Sequence, residues 1–154
     1  MTSDLKEVVM TDSNPKAEVE TLLDDLLPFA KRMLAAHGEF FPFGGYVRTD
    51  GSIVHTGVAD PATSRPKSIT LIETLVRALR ERALNEELCA TALVFDVKVM
   101  PPGRTAKTNA IQVSLEHRDS YCADVFFPYC PDESGTIEFG ETFAQAGQPI
   151  VFVK

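Results

Sequence analysis

In the second half of the chain, two stretches place their apolar residues at every other position, and this alternation constrains the fold more than any other feature. Leu93, Phe95, Val97 and Val99 alternate with Val94, Asp96 and Lys98, and Ile111, Val113 and Leu115 alternate with Gln112, Ser114 and Glu116. A period of two belongs to a β-strand, whose successive side chains point to opposite faces of a sheet. The 111–116 run reads as a strand with one wet face, as antiparallel sheets have. Pro101-Pro102-Gly103 separates the two runs, and a polar turn from His117 to Ser120 leads into Tyr121–Tyr129. Together the three segments predict an antiparallel meander.

Such a sheet needs cover, and the first half of the chain supplies helices. Asn14 precedes Pro15, a cap followed by the residue best suited to the first helical position. Leu22, Leu23, Leu26, Leu27, Ala30, Met33 and Leu34 then recur at helical spacing, and Gly38 supplies the stop. Pro28 falls inside, so a kink or a break into two helices is expected there. Ser68 opens a second helix with Ile69, Ile72, Leu75, Val76, Leu79 and Ala83 as its buried stripe. Between the helices, Tyr46–Thr49 and Ser52–His55 flank Asp50-Gly51, which predicts a tight hairpin with both turn residues at φ > 0. Gly44-Gly45 reads as a bend leading into that hairpin. Residues 1–13 read as a flexible leader, 61–66 as a connector, and 136–140 and 150–153 as two short strands in a small C-terminal β tail, the second at an edge because Pro149 cannot donate.

The expectation is one α+β domain over residues 14–154: an antiparallel sheet of about five strands with two helices packed on one face. The order helix, two strands, helix, three strands resembles profilin-like and roadblock-type folds in topology. The segment His37-Gly38-Glu39-Phe40-Phe41-Pro42-Phe43-Gly44-Gly45 resembles that of uncharacterised bacterial domains of this size, a resemblance that implies no activity.

Charge narrows the partners. Fifteen Lys and Arg against twenty-two Asp and Glu give −7, whereas grip on nucleic acid comes from basic side chains. Nucleic acid is therefore not expected as a partner. The excess falls on the ends, with −3 over residues 1–37, +1 over 38–118 and −5 over 119–154. No apolar run approaches the ~18 residues of a spanning helix, and residues 1–15 lack the basic and apolar regions of a secretory signal. Neither membrane nor export is expected, and three cysteines at irregular spacing (Cys89, Cys122, Cys130) suit a reducing cytoplasm.

Chemistry has little raw material. His37 and Glu39 form an H-x-E pair of the kind zinc deaminases use, yet the P-C-x-x-C that completes such a site is missing, and no metal or cofactor is expected. His55 and His117 sit at strand ends, the latter beside Glu116 and Asp119. The cysteines lack an adjacent base and read as small buried hydrophobes. The loop from Arg104 to Thr108 is a basic hairpin tip able to meet an anion. Phe40, Phe41 and Phe43 are too much apolar surface to leave wet, so they belong to the core or to an interface. Two readings follow. In the first, the chain is a non-catalytic module that binds a protein partner or forms a homodimer through the Phe segment or a sheet edge. In the second, it is a small hydrolase or isomerase with a pocket near the helix–hairpin junction, in which Glu39 or Glu116 acts as base and His37, His55 or His117 as acid, provided these residues converge.

Overall fold

A computed structural model of the chain describes residues 14–57 and 68–153. The expected leader and connector, 1–13 and 61–66, lie outside the described residues. Those described form two helices and seven strands: α1 (Pro15–His37), β1 (Phe43–Arg48), β2 (Ile53–Gly57), α2 (Ser68–Leu84), β3 (Leu88–Val99), β4 (Thr108–His117), β5 (Tyr121–Pro131), β6 (Ile137–Phe139) and β7 (Phe143–Ala146). All strand pairs are antiparallel, in the order β2-β1-β3-β4-β5-β6, with β7 also on β5. The α+β class and the meander hold, and the strand count exceeds five.

The helix ends follow from local chemistry. Asn14 accepts a hydrogen bond from the Ala17 N–H at 3.2 Å, and Gly38, left-handed at φ 74°, closes α1 by donating to the Leu34 carbonyl at 2.8 Å. Of the kink or break expected at Pro28, the break does not occur: α1 runs unbroken for 23 residues. Both Pro28 and Asp24, whose carbonyl loses its donor, are exposed, so the missing bond falls on the side open to solvent. In α2 the buried stripe is Leu71, Leu75 and Leu79, while Ile69, expected inside, is 62% exposed.

The two helices do not share a face of the sheet. Val19, Leu22, Leu26, Ala30 and Leu34 of α1 pack against Phe43, Val47, Ala92, Val94, Ile111, Val113 and Leu115. Leu75 and Leu79 of α2 pack against Tyr46, Leu88, Leu93 and Val151. The two sets take alternate positions on β1 and β3, hence opposite faces. The reason lies in β3, where every residue from Leu88 to Val94 is buried, a run that one covered face cannot accommodate. The expected one-sided cover is thus corrected to a sheet between α1 on one face and α2 with the C-terminal segment on the other.

Glycine has a different part from the one read in sequence. Gly44 and Gly45 form no bend; both lie within β1. A Cβ on Gly45 would stand 2.9 Å from Leu26 Cδ2 and 2.9 Å from the Val54 carbonyl oxygen, so the missing side chain is what lets α1 settle on the sheet. The β1–β2 hairpin is present, but only Gly51 is left-handed, at φ 93°. Gly51 donates to the Arg48 carbonyl and Arg48 to the Ser52 carbonyl, both at 2.8 Å, a longer loop than the expected two-residue turn.

At the far edge, β6 and β7 are one strand interrupted. Phe139 pairs with Tyr129 and Phe143 with Phe126, so residues 140–142 stand opposite only 127–128. This is a bulge with one extra residue. Gly140 donates to the Pro128 carbonyl at 2.8 Å, and Pro128 has no N–H to return. Residues 150–153 form no strand, contrary to expectation.

Candidate functional site

The acid–base candidates fall in separate places, and most are bonded to structural partners. His37 is the last residue of α1, and Glu39 follows the Gly38 cap; both are exposed. Glu39 lies close enough to Asp96 for its charge to favour the protonated form there. His55, on β2, meets Asp25 of α1, Nε2 to Oδ2 at 2.5 Å, with about half of each side chain exposed. Glu116 and His117 are neighbours on β4 and therefore face opposite ways.

Glu116 points toward the α2 face, where the C-terminal segment crosses. Its carboxylate accepts from the backbone N–H groups of Ile150 (2.9 Å), Val151 (3.1 and 3.0 Å) and Phe152 (2.6 Å). Three consecutive donors on one buried carboxylate do the work that a strand partner would do, which explains why 150–153 can pack without a ladder. Arg80 of α2 adds a bond from Nε to the Ile150 carbonyl at 2.5 Å. Glu116 is a fastener of the C-terminal segment, with both carboxylate oxygens engaged by that backbone.

His117 points toward α1 and is buried. The Asp119 N–H donates to its Nδ1 at 3.0 Å, so Nε2 carries the proton and donates to Glu18 Oε1 at 2.6 Å. Glu18 belongs to the first turn of α1, about 28 Å along the helix from His37 at 1.5 Å rise per residue. Asp25, the partner of His55, lies between them. The three histidines thus mark three stations along one helix.

Beside His117 lies a group that sequence reasoning missed. One donor atom each from Glu18, Cys89 and His117 lie within 4.8 Å of one another. Cys89 arrives there through a bulge: Val47 pairs with Ala90 and Arg48 with Leu88, leaving Cys89 as the extra residue, on the α1 face together with its neighbour Ala90. The cysteines, read as small buried hydrophobes with no base adjacent in sequence, divide: Cys89 is buried with His117 beside it in space, whereas Cys122 is half-buried and Cys130 exposed. Burial, with the Glu18 charge adding to it, pushes the Cys89 thiol up, so the sulfur keeps its proton. The spacing of Cys89 and His117 across a hairpin carries this signal in part; Glu18, from a helix far away in sequence, carries none.

The aromatic segment divides. Phe40 and Phe43 are buried, at 8% and 7% exposure, with Phe29 and Phe40 each set edge-on to Phe43 at 5.0 and 6.0 Å between centroids. They plug the C-terminal end of α1 against the sheet. Phe41 points outward and is 49% exposed. Of the three expected interface residues, Phe41 alone keeps substantial surface to offer.

A groove of about 550 Å³ opens at the end of the sheet, between the β3–β4 loop (Arg104, Lys107), Tyr129 of β5 and the bulge beside Phe139 and Phe143. None of the five acid–base candidates lines it. Tyr129 donates to both oxygens of Asp96, at 2.8 and 2.9 Å. Partial desolvation of its carboxyl raises Asp96 above its ordinary value against the pull of that bond, although the residue keeps exposed surface, and burial together with Asp96 holds the Tyr129 hydroxyl well above the usual phenol range. No helix among the described residues is long and apolar enough to cross a membrane. No known protein family, curated protein or solved structure matches the chain.

Proposed function

We propose that this protein is a non-catalytic binding module that associates with a second copy of itself. The observation that carries this reading is the dispersal of His37, Glu39, His55, Glu116 and His117. Proton transfer requires acid and base within hydrogen-bond reach of one substrate. Here Glu116 is committed to the C-terminal backbone on one face, His117 to Glu18 on the other, and His55 and His37 lie at further stations along α1.

The contact surface has two parts. Phe41 offers a large ring at the surface, backed by the packed rings of Phe40 and Phe43. The outer edge of β2 has no ladder partner among the described residues. An unpaired edge is a template for a second chain, and two identical edges running antiparallel meet about a two-fold axis.

Light scattering at micromolar concentration tests the proposal. The expected result is a species of twice 16.9 kDa that reverts to the monomer in Phe41→Asp. A single monomeric species, or a dimer indifferent to that substitution, overturns the Phe41-centred interface.

A further inference from the structure

We propose that Glu18, Cys89 and His117 form a site for a single borderline-soft divalent cation, Zn²⁺ by its ligand chemistry. The three side chains come from α1, β3 and β4, and supply oxygen, sulfur and nitrogen within 4.8 Å of one another. A mixed set of thiolate, imidazole and carboxylate suits zinc and is a poor choice for magnesium or calcium, which take oxygen ligands. Two of the three donors are buried: Cys89 is 5% and His117 2% exposed.

Local structure argues that the convergence is built rather than incidental. In a regular strand Cys89 and Ala90 would face opposite ways, and the thiol would lie under α2. The β-bulge between the Val47–Ala90 and Arg48–Leu88 pairs turns it to the α1 face, beside His117, the strand partner of Ala90. Among the described residues the Cys89 sulfur otherwise makes a long contact, 3.8 Å, to the Arg48 carbonyl. Glu18, in the first turn of α1, closes the third side, with its side chain 31% exposed toward solvent.

The protons balance as follows. Without metal, the His117 Nε2–H lies between the ring and Glu18, and Nδ1 accepts from the Asp119 N–H. A cation takes the place of that proton. The imidazole stays neutral by moving its proton to Nδ1: the Asp119 N–H, which bonds Nδ1 in the metal-free state, gives up that acceptor and turns to solvent, and the Asp119 carboxylate, 3.8 Å away in the metal-free state, takes the Nδ1 proton in the carboxylate–histidine–metal arrangement. The Cys89 thiol releases its proton to solvent, so one proton leaves per ion bound. Tetrahedral zinc spaces its ligands about 3.3–3.7 Å apart, so the 2.6 Å Nε2–Oε1 contact opens slightly. A fourth position is left for solvent on the Glu18 side.

The test uses the full chain, purified without an affinity tag and stripped with chelator. Titration with Zn²⁺ is followed by calorimetry and by proton release to a pH indicator, and titration with Co²⁺ by the sulfur-to-cobalt absorption band. Expected are one ion and about one proton per chain, a thiolate–cobalt band, and binding at least ~10-fold weaker in Cys89→Ser and in Glu18→Gln, with a similar loss in Asp119→Asn. Glu18→Gln alters a partly exposed side chain and keeps the test open if Cys89→Ser fails to fold. The proposal is overturned if the folded chain takes up no zinc at millimolar concentration, or if the band and affinity persist in both ligand variants, which would place the metal on Cys122 or Cys130.

Discussion

Glu116 holds Val151 with both of its carboxylate oxygens, at 3.1 and 3.0 Å, across 35 positions of sequence. With the Ile150 and Phe152 N–H groups on the same carboxylate, this joint ties the chain end over the α2 face. Removing a buried charged acceptor leaves its donors unsatisfied, at a cost of about 3 kcal/mol. Glu116→Ala is expected to lose about that much stability in urea unfolding. Hydrogen exchange should show protection lost first at the amides of residues 150–152.

Gly45 sits against Leu26 with no room for a Cβ. Gly45→Val is expected to push α1 off the sheet and to destabilise the chain by about 1–3 kcal/mol, the usual range for overpacking. A Leu26→Ala change makes space at the same spot. The double variant should therefore lose less than the sum of the two single changes in a denaturant-based cycle.

The Asp96–Tyr129 pair gives a pH dependence of defined sign. Asp96 titrates above the usual carboxylate range when folded, so just above that range the folded chain binds more protons than the unfolded one. Stability from this group is present in full below the unfolded value and falls as pH rises through the folded one. Asp96→Asn should remove that component, so the difference between the two unfolding free energies changes as pH rises from the unfolded aspartate value through the folded one and is constant outside that interval. Tyr129→Phe deletes the bond that favours the carboxylate and should raise the Asp96 titration further, as read by carboxyl NMR.

Leu71 and Ile69 stand two residues apart on α2 and differ in worth. Leu71 is 1% exposed and Ile69 62%. Leu71→Ala is expected to cost about 2–5 kcal/mol and Ile69→Ala about 0.5 kcal/mol or less. Thermal melts of the two variants separate these outcomes.

Likewise, the exposed His55–Asp25 contact should contribute little, as solvent-screened pairs do. His55→Ala is expected to shift stability by under ~1 kcal/mol.

Much of the fold is legible in sequence because it rests on local chemistry. Asn14-Pro15 and Gly38 bound α1, Gly51 turns the hairpin, and the alternation at 111–116 marks β4. What sequence does not carry is the second covered face. Residues 147–153 have no period of their own, and their place depends on Glu116, a residue that alternation alone assigns to solvent. The same limit hides the Glu18–Cys89–His117 group. Its assembly needs a one-residue bulge, which reverses where a side chain points without altering any pattern, and a contact between residues 99 positions apart. Phe40, Phe41 and Phe43 show the intermediate case: their bulk predicts burial or contact, and only packing decides which ring goes where.

The bulge at residues 140–142, opposite a proline in β5, has a bearing on how copies of the chain can add together. An open sheet with two receptive margins invites growth from both sides and ends in fibres. Here the β6–β7 margin is kinked by its extra residue, so among the described residues it offers a newcomer no straight row of groups to match. Among the described residues, the β2 edge of the proposed association is the margin without such a kink. A molecule with a single receptive margin joins once and stops, so the association proposed through β2 would close at a pair.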